Sequence, residues 1–207
     1  MRLIESLQWR YATKKFNPAK IVDAKNLAFL KEVIRLSASS YGLQPFKVKI
    51  VDDKALKNKL RLASYGQPQI SDCSHLFIFS HLTAVPPNYI DNYMELVSTE
   101  REIDKAQVEG YSAFMKRTFG EFSQDDINNW ASKQAYIGMT NLLTACAELK
   151  IDTCPIEGFD AKAYNTILGL DDLSLSACVV VAVGYRDEHD ETQHLKKVRL
   201  ATEDLFI

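Results

Sequence analysis

Two uninterrupted apolar runs of strand length, His75-Leu-Phe-Ile-Phe-Ser-His-Leu82 and Cys178-Val-Val-Val-Ala-Val-Gly184, constrain this chain more than any other feature. Runs so short and so rich in β-branched or aromatic residues fit strands covered on both faces. Phe46-Lys-Val-Lys-Ile-Val51 alternates apolar and polar residues, as a half-buried strand does. Long stretches of helical spacing separate the three. Helical residues in the majority around a small sheet, of about three to five strands, set the class as α+β.

Residues 3–9 suit a short helix, and Arg10-Tyr-Ala-Thr-Lys-Lys-Phe16 reads as extended up to Asn17-Pro18. Asp23 caps a helix carrying Leu27, Leu30, Val33, Ile34 and Leu36, which Ser37–Gly42 breaks before a Gln44-Pro45 turn. Asp52 or Asp53 caps a basic helix through about Ala63, and Pro86-Pro87 ends the second strand. From 88 to 119 the spacing is helical at both ends of a charged middle, giving one long helix or two with a break. Ser123-Gln-Asp-Asp126 opens a helix to about Lys150 with a stripe of Ile127, Trp130, Ile137, Leu142, Ala145, Cys146 and Leu149. Gln134, Gly138 and Asn141 fall on or beside that stripe, and an unpaired buried amide costs a few kcal/mol, so partners or a polar ligand are expected there. Pro155–Phe159 reads as a loop, followed by a short helix from Asp160 to Gly169. The charged tail closes on Leu205-Phe-Ile207, an apolar end expected to dock on something.

Composition removes several classes. The 25 Lys+Arg against 27 Asp+Glu leave a net charge of -2, so nothing global attracts nucleic acid or an anionic membrane. The eight glycines are scattered; neither a dinucleotide fingerprint nor a P-loop can be drawn through them, and any phosphate must be held by side chains. Cysteines 73, 146, 154 and 178 form no CxxC pair and histidines 75, 81, 189 and 194 have no metal-ligand spacing, so no metal site is expected and the thiols read as reduced and structural. No run approaches the ~20 apolar residues of a membrane span. The expectation is a cytoplasmic protein with residues 1–207 as a single domain.

Four groups could carry chemistry. Arg10 and Lys14 share one side of an extended segment, across the small Ala12, and Lys197 and Arg199 repeat that spacing near the other end of the chain. These cations are either separate surface charges or converge on one multiply charged anion. In Cys154-Pro-Ile-Glu-Gly-Phe159, Gly158 permits a positive φ, so the segment is either an ordinary loop or a turn presenting N–H groups to a flat ligand. Ser37-Ala-Ser-Ser40 is a hydroxyl-rich helix end.

Together these pieces resemble the nitroreductase family of FMN-dependent NAD(P)H oxidoreductases, closest to its oxygen-insensitive nitroreductase and dihydropteridine reductase branch. The matching stretches are Arg10–Phe16, Ser37–Ser40 with Gln44-Pro45-Phe46, Gly66-Gln-Pro-Gln69, Lys133-Gln134-Ala-Tyr136, Pro155–Phe159 and Leu195-Lys-Lys-Val-Arg-Leu200, in the family's order. The resemblance implies an α+β nitroreductase-like fold, a small mixed sheet surrounded by helices, in an intertwined homodimer with FMN at the interface. It implies that Arg10, Lys197 and Arg199 hold the FMN phosphate, and that Tyr11 and Ala12 also bind the cofactor, Ala12 at the flavin edge. Lys14 would lie at the pyrimidine edge, where a fixed cation stabilises the charge of the reduced ring. Pro155, Ile156, Glu157 and Gly158 would border the ring, the last two through backbone N–H groups, with Gln67 and Gln69 along its edge. Ala38, Ser39, Ser40 and Gln134 would come from the partner subunit, and Tyr41 and Phe114 would cover the open face where NAD(P)H and acceptor alternate. Catalysis would thus fall to Lys14, Glu157 and Gly158.

The sequence departs from the family pattern at Ala12, where close relatives carry serine, at Phe46 in place of tryptophan, and in a shortened 66–69 segment. The implied activity is ping-pong transfer from NAD(P)H through FMN to nitroaromatic, quinone or pterin-like acceptors. A dehalogenase, a flavin-destroying specialist or a non-catalytic flavin-binding dimer are the alternatives.

Overall fold

The computed structural model describes residues 2–207. Its sheet has the order β1-β2-β4-β3, from β1 (Phe46–Val51), β2 (His75–Leu82), β3 (Asp152–Ile156) and β4 (Leu175–Gly184). The four strands pair antiparallel throughout. Of the expected mixed sheet, the parallel element is an isolated bridge between Ala12 and Thr153, where the extended Arg10–Phe16 segment lies along the β3 edge.

The two apolar runs occupy the centre, where both faces must be covered. Leu76, Ile78, Val180 and Ala182 pack with Leu60, Ile70 and Tyr164 from α3 (Lys54–Leu62), α4 (Pro68–Asp72) and α8 (Ala161–Leu168). Phe77, Phe79, Val179, Val181 and Val183 face Leu30 and Ile34 of α2 (Ala24–Arg35) and Leu142 and Cys146 of α7 (Gln124–Glu148). Such alternation is the period-two geometry of a strand buried on both sides.

Local signals in the sequence account for the helix ends. The carboxylates of Asp23, Asp53 and Asp160 accept from Asn26, Leu56 and Ala163 N–H at 2.8, 2.7 and 3.1 Å. Ser123 and Asp126 form a reciprocal capping box at the start of α7. The expected stripe on α7 shifts at one place: Gly138, not Ile137, takes the core position, and Ile137 is 40% exposed. Spacing explains it, because Ala131, Ala135, Gly138, Leu142 and Ala145 follow the helical period and 137 lies beside it. A Cβ at Gly138 would stand 3.1 Å from the Phe46 ring, so the glycine is what lets β1 approach α7.

Residues 88–119 resolve into two helices, α5 (Pro87–Arg101) and α6 (Ala106–Gly120). Glu102, in the left-handed region at φ 53, makes the break, and Ser98 Oγ donates to Ile103 O at 2.6 Å. The pair encloses a third apolar cluster of Leu43, Ile90, Met94, Met115 and Phe119. One element corrects the sequence reading and a second adds to it. Residues 152–156 are a strand rather than a loop, on an edge where Pro155 is tolerated. Residues 68–72 form the short α4, started by Pro68. Helix α1 (Arg2–Trp9) and a short tail helix, α9 (Thr202–Leu205), complete the chain.

Candidate functional site

The site is assembled where the two ends of the chain meet beside β3. Thr13 N–H donates to Thr153 O at 3.1 Å, which holds the N-terminal segment extended. After β4 the chain returns across it: Asp187 N–H donates to Lys15 O at 2.9 Å. The Asp190 carboxylate, 2% exposed, accepts from Tyr11 Oη at 3.0 Å, Lys14 N at 2.9 Å, Lys15 N at 3.2 Å and Thr192 N at 3.0 Å. Burial and then the Asp190 bond push the Tyr11 phenol up to about 12.

Beyond this joint, Arg10, Lys197 and Arg199 line one cavity of about 390 Å3 with Trp9, Tyr11 and Ala12. Lys197 Nζ donates to Leu7 O at 2.8 Å and to Arg10 O. Arg10 Nε is buried and has no hydrogen-bond partner. Burial, and then the Arg199 guanidinium, lower the Arg10 pKa; burial, then Arg10 and Arg199, lower that of Lys197. Three cations thus share one recess, and an anion would relieve their repulsion and supply the missing acceptor. Lys14 does not line the cavity, yet it and Arg10 act on one group: burial raises the Cys154 thiol, and Lys14, then Arg10, pull it back.

Pro155 and Ile156 end β3, with Glu157 and Gly158 following at once. Tyr136 on α7 donates to Glu157 Oε1 at 2.6 Å, and Gln67 Nε2 donates to Gly158 O at 2.7 Å. The turn is therefore held from both sides. Gly158 is not among the residues of positive φ, which corrects the reason given for a glycine there. A Cβ on it would meet only Gln67 Nε2, at 3.6 Å. Gln69 is buried, and its Oε1 has no partner.

Ala38, Ser39, Ser40, Tyr41, Phe114 and Gln134 form a second group. Gln134 Oε1 accepts from Ser40 N at 2.9 Å and its Nε2 donates to Trp130 O at 3.0 Å, which answers the expectation that this buried amide has partners. Asn141 likewise donates to Ser37 Oγ at 2.9 Å. Ser39 Oγ accepts from Gln44 N at 2.9 Å. Tyr41, left-handed at φ 59, sits 6.5 Å from Phe114 between ring centroids, and Tyr111 stacks on Phe114 at 6.3 Å. Among the described residues no hydrogen bond or ring contact joins this group to the cation recess within one chain.

Sequence reasoning missed Asp190 and gave Tyr136 no role. Asp190 stands in Asp187-Glu-His-Asp-Glu191, where nothing separates a buried carboxylate from its exposed neighbours. The described residues contain no cluster of metal-ligating side chains, and none of their helices is long and apolar enough to cross a membrane. All four cysteines are free.

The model of the Nitroreductase family matches residues 7–185. YfkO of Bacillus subtilis, which carries the name of an NAD(P)H nitroreductase, is 33% identical over 218 residues, covering 99% of this chain and 96% of that protein. The crystal structure of ydfN, also from Bacillus subtilis, superposes with a TM-score of 0.88 at 19% identity over 99% of this chain and 97% of the other. The crystal structure of a nitroreductase from Exiguobacterium sibiricum in complex with FMN gives a TM-score of 0.83 at 15% identity over 99% of this chain and 96% of the other. The two structures speak for the fold alone; the family model and the sequence relative extend the agreement to the residues, and the chain belongs to the nitroreductase family.

Proposed function

We propose that this chain is an FMN-dependent NAD(P)H oxidoreductase, a cytoplasmic homodimer whose 207 residues form one FMN-binding domain. The observation that carries the reading is the convergence of Arg10, Lys197 and Arg199 on one recess, with Arg10 Nε buried and unpartnered. That donor set suits a phosphate, and the turn at Glu157-Gly158, pinned by Tyr136 and Gln67, offers backbone at the end of an edge strand nearby. Relatives whose names specify NAD(P)H, and a fold neighbour solved with FMN, agree with it.

Arg10, Lys197 and Arg199 would hold the phosphate, with Tyr11 and Ala12 forming the adjoining wall. Lys14 would place a fixed positive charge at the pyrimidine edge. Backbone N–H groups of Glu157 and Gly158 would orient the ring, Pro155 and Ile156 would shape its border, and Gln67 and Gln69 would flank it. Bound FMN supplies two-electron chemistry, in ping-pong order, between NAD(P)H and a nitroaromatic, quinone or pterin-like acceptor. Tyr41 and Phe114 would cover the shared face and keep each partner in a stacked, short-path arrangement.

Two features support a dimer. Leu205 and Phe206 are 62% and 70% exposed, so the apolar tail docks on nothing in its own chain. The Ala38–Ser40 and Gln134 group does not line the cation recess, as residues meant for a second copy's site would not. Purified protein should be yellow, or turn so with added FMN. Anaerobic NADH or NADPH should bleach it, and menadione or nitrofurazone should restore the colour. Protein that takes up no FMN overturns the reading; FMN that neither donor bleaches makes it a flavin-binding dimer without catalysis.

A further inference from the structure

Asp190 gathers more of the contacts between the N-terminal and C-terminal limbs of the site than any other side chain, beside the Asp187–Lys15 and Lys197–Leu7 bonds. Its Oδ2 accepts three hydrogen bonds from the N-terminal limb, from Tyr11 Oη and the Lys14 and Lys15 N–H groups. Its Oδ1 accepts from Thr192 N, inside the 3-10 turn Glu191–His194 that leads to Lys197 and Arg199. Gln193 N–H returns to Asp190 O at 3.1 Å, so main chain and side chain of one residue organise the turn. The carboxyl is held below its ordinary range: burial raises it, and the bonds from Lys14, Lys15, Tyr11 and Thr192 outweigh that.

The donor set is specific for a carboxylate. Both oxygens face only donors, so an amide in either orientation would turn its NH2 toward N–H groups and leave them unpaired at a buried position. A carboxylate accepting from backbone N–H also makes the stronger, charge-assisted kind of bond. The Asp190 bonds fix the main chain of Lys14, whose side chain lies off the recess, and the start of the segment that carries Lys197 and Arg199 into it.

We propose that Asp190 is a positioning residue that locks the Lys14 segment and the 195–199 limb into one anion site, so that recognition of a phosphate and the placement of the Lys14 charge depend on it together. This rests on the flavin reading above. It assigns to a residue that bonds two residues of the recess wall, Tyr11 and Thr192, without lining the recess itself, a control over the discrimination between a phosphorylated flavin and its unphosphorylated form.

The test compares FMN with riboflavin on full-length protein, by flavin fluorescence titration of wild type, Asp190→Asn and Tyr11→Phe. The wild type should prefer FMN. Asp190→Asn should reduce that preference by about tenfold or more, chiefly by weakening FMN, and should shift the midpoint potential of the bound flavin downward as Lys14 loses its anchor. Tyr11→Phe, which removes one of the four bonds, should move both quantities the same way by a smaller factor, and it decides the matter if Asp190→Asn does not fold. An unchanged FMN-to-riboflavin ratio and potential in folded variants overturns the role of Asp190 and leaves the flavin reading intact. Absence of FMN binding by the wild type overturns both.

Discussion

The Tyr136 phenol donates a 2.6 Å hydrogen bond to the Glu157 carboxylate, tying the long helix α7 to the residue that follows β3. Burial, and then this bond, raise the Tyr136 pKa, so the phenol stays protonated and remains the donor at any working pH. Tyr136→Phe should keep the fold and lower the rate of flavin reduction by NADH roughly tenfold, because a barrier change near 1.4 kcal/mol is what loosening one such bond supplies. Anaerobic stopped-flow absorbance measures it; a rate equal to wild type removes the link between α7 and the turn.

Phosphate holding by the recess should show in ionic strength. Arg10→Ala or Arg199→Ala should weaken FMN binding by about 10- to 100-fold, the value of one charge-assisted contact. Each variant should also flatten the dependence of affinity on salt between dilute and molar buffer, since one fewer charge is left to screen. Affinities that fall without any change in salt dependence would mean the arginine acts by packing.

Lys14 has a different signature. Lys14→Met should slow anaerobic flavin reduction more than it weakens FMN binding, and Lys14→Arg should recover part of the rate. A reduction rate untouched by the methionine would leave Lys14 without the electrostatic role assigned to it.

Gly138→Ala tests the close approach of β1 to α7. Its Cβ would stand 3.1 Å from the buried Phe46 ring, tight enough that the ring must move. Overpacking of this kind costs about 1–3 kcal/mol and should lower the melting temperature by about 3–8 °C. Pairing it with Phe46→Leu should recover most of the loss in differential scanning calorimetry.

His75 supplies a pH dependence. Burial lowers its pKa, with Asp52 raising it and Lys57 and Lys31 lowering it further, and Ser74 Oγ lies 2.8 Å from its Nδ1. A histidine whose folded pKa is depressed contributes stability that is complete above the unfolded value of about 6.5 and is lost as pH falls toward the folded value. Urea unfolding should therefore show stability declining from pH 7 to 5, and His75→Gln should make that part of the profile flatter.

What could be read in the residues follows how local each signal is. The strands at 75–82 and 178–184 declared themselves because burial on both faces leaves an unbroken apolar run, and the caps at Asp23 and Asp160 because a cap is a three-residue event. Strand β3 hid because an edge strand containing Asp152 and Pro155 meets no apolar pattern; its carboxylate is offset by Arg186, whose Nε donates to Asp152 Oδ1 at 2.8 Å and whose Nη2 makes an ion pair with the same oxygen at 2.6 Å. The cation recess was visible as two spaced pairs, and the meeting of Arg10 with Lys197 and Arg199 agrees with it, while Lys14 stands outside the recess. Asp190 could not be singled out, since a role made of four donors from two segments far apart in the chain leaves no spacing in the sequence.

The joint between the chain ends has a consequence for biosynthesis. The sheet is complete at Gly184, yet Tyr11 must wait for Asp190, 179 positions away, and Arg10 for Lys197, 187 positions away. A ribosome-bound chain that has released β4 can already close its core around the four strands, while the anion recess does not exist until the last twenty or so residues emerge. Closure of the cation recess is therefore the last local step of folding, and chains truncated after Gly184 would form a population with a sheet but no recess.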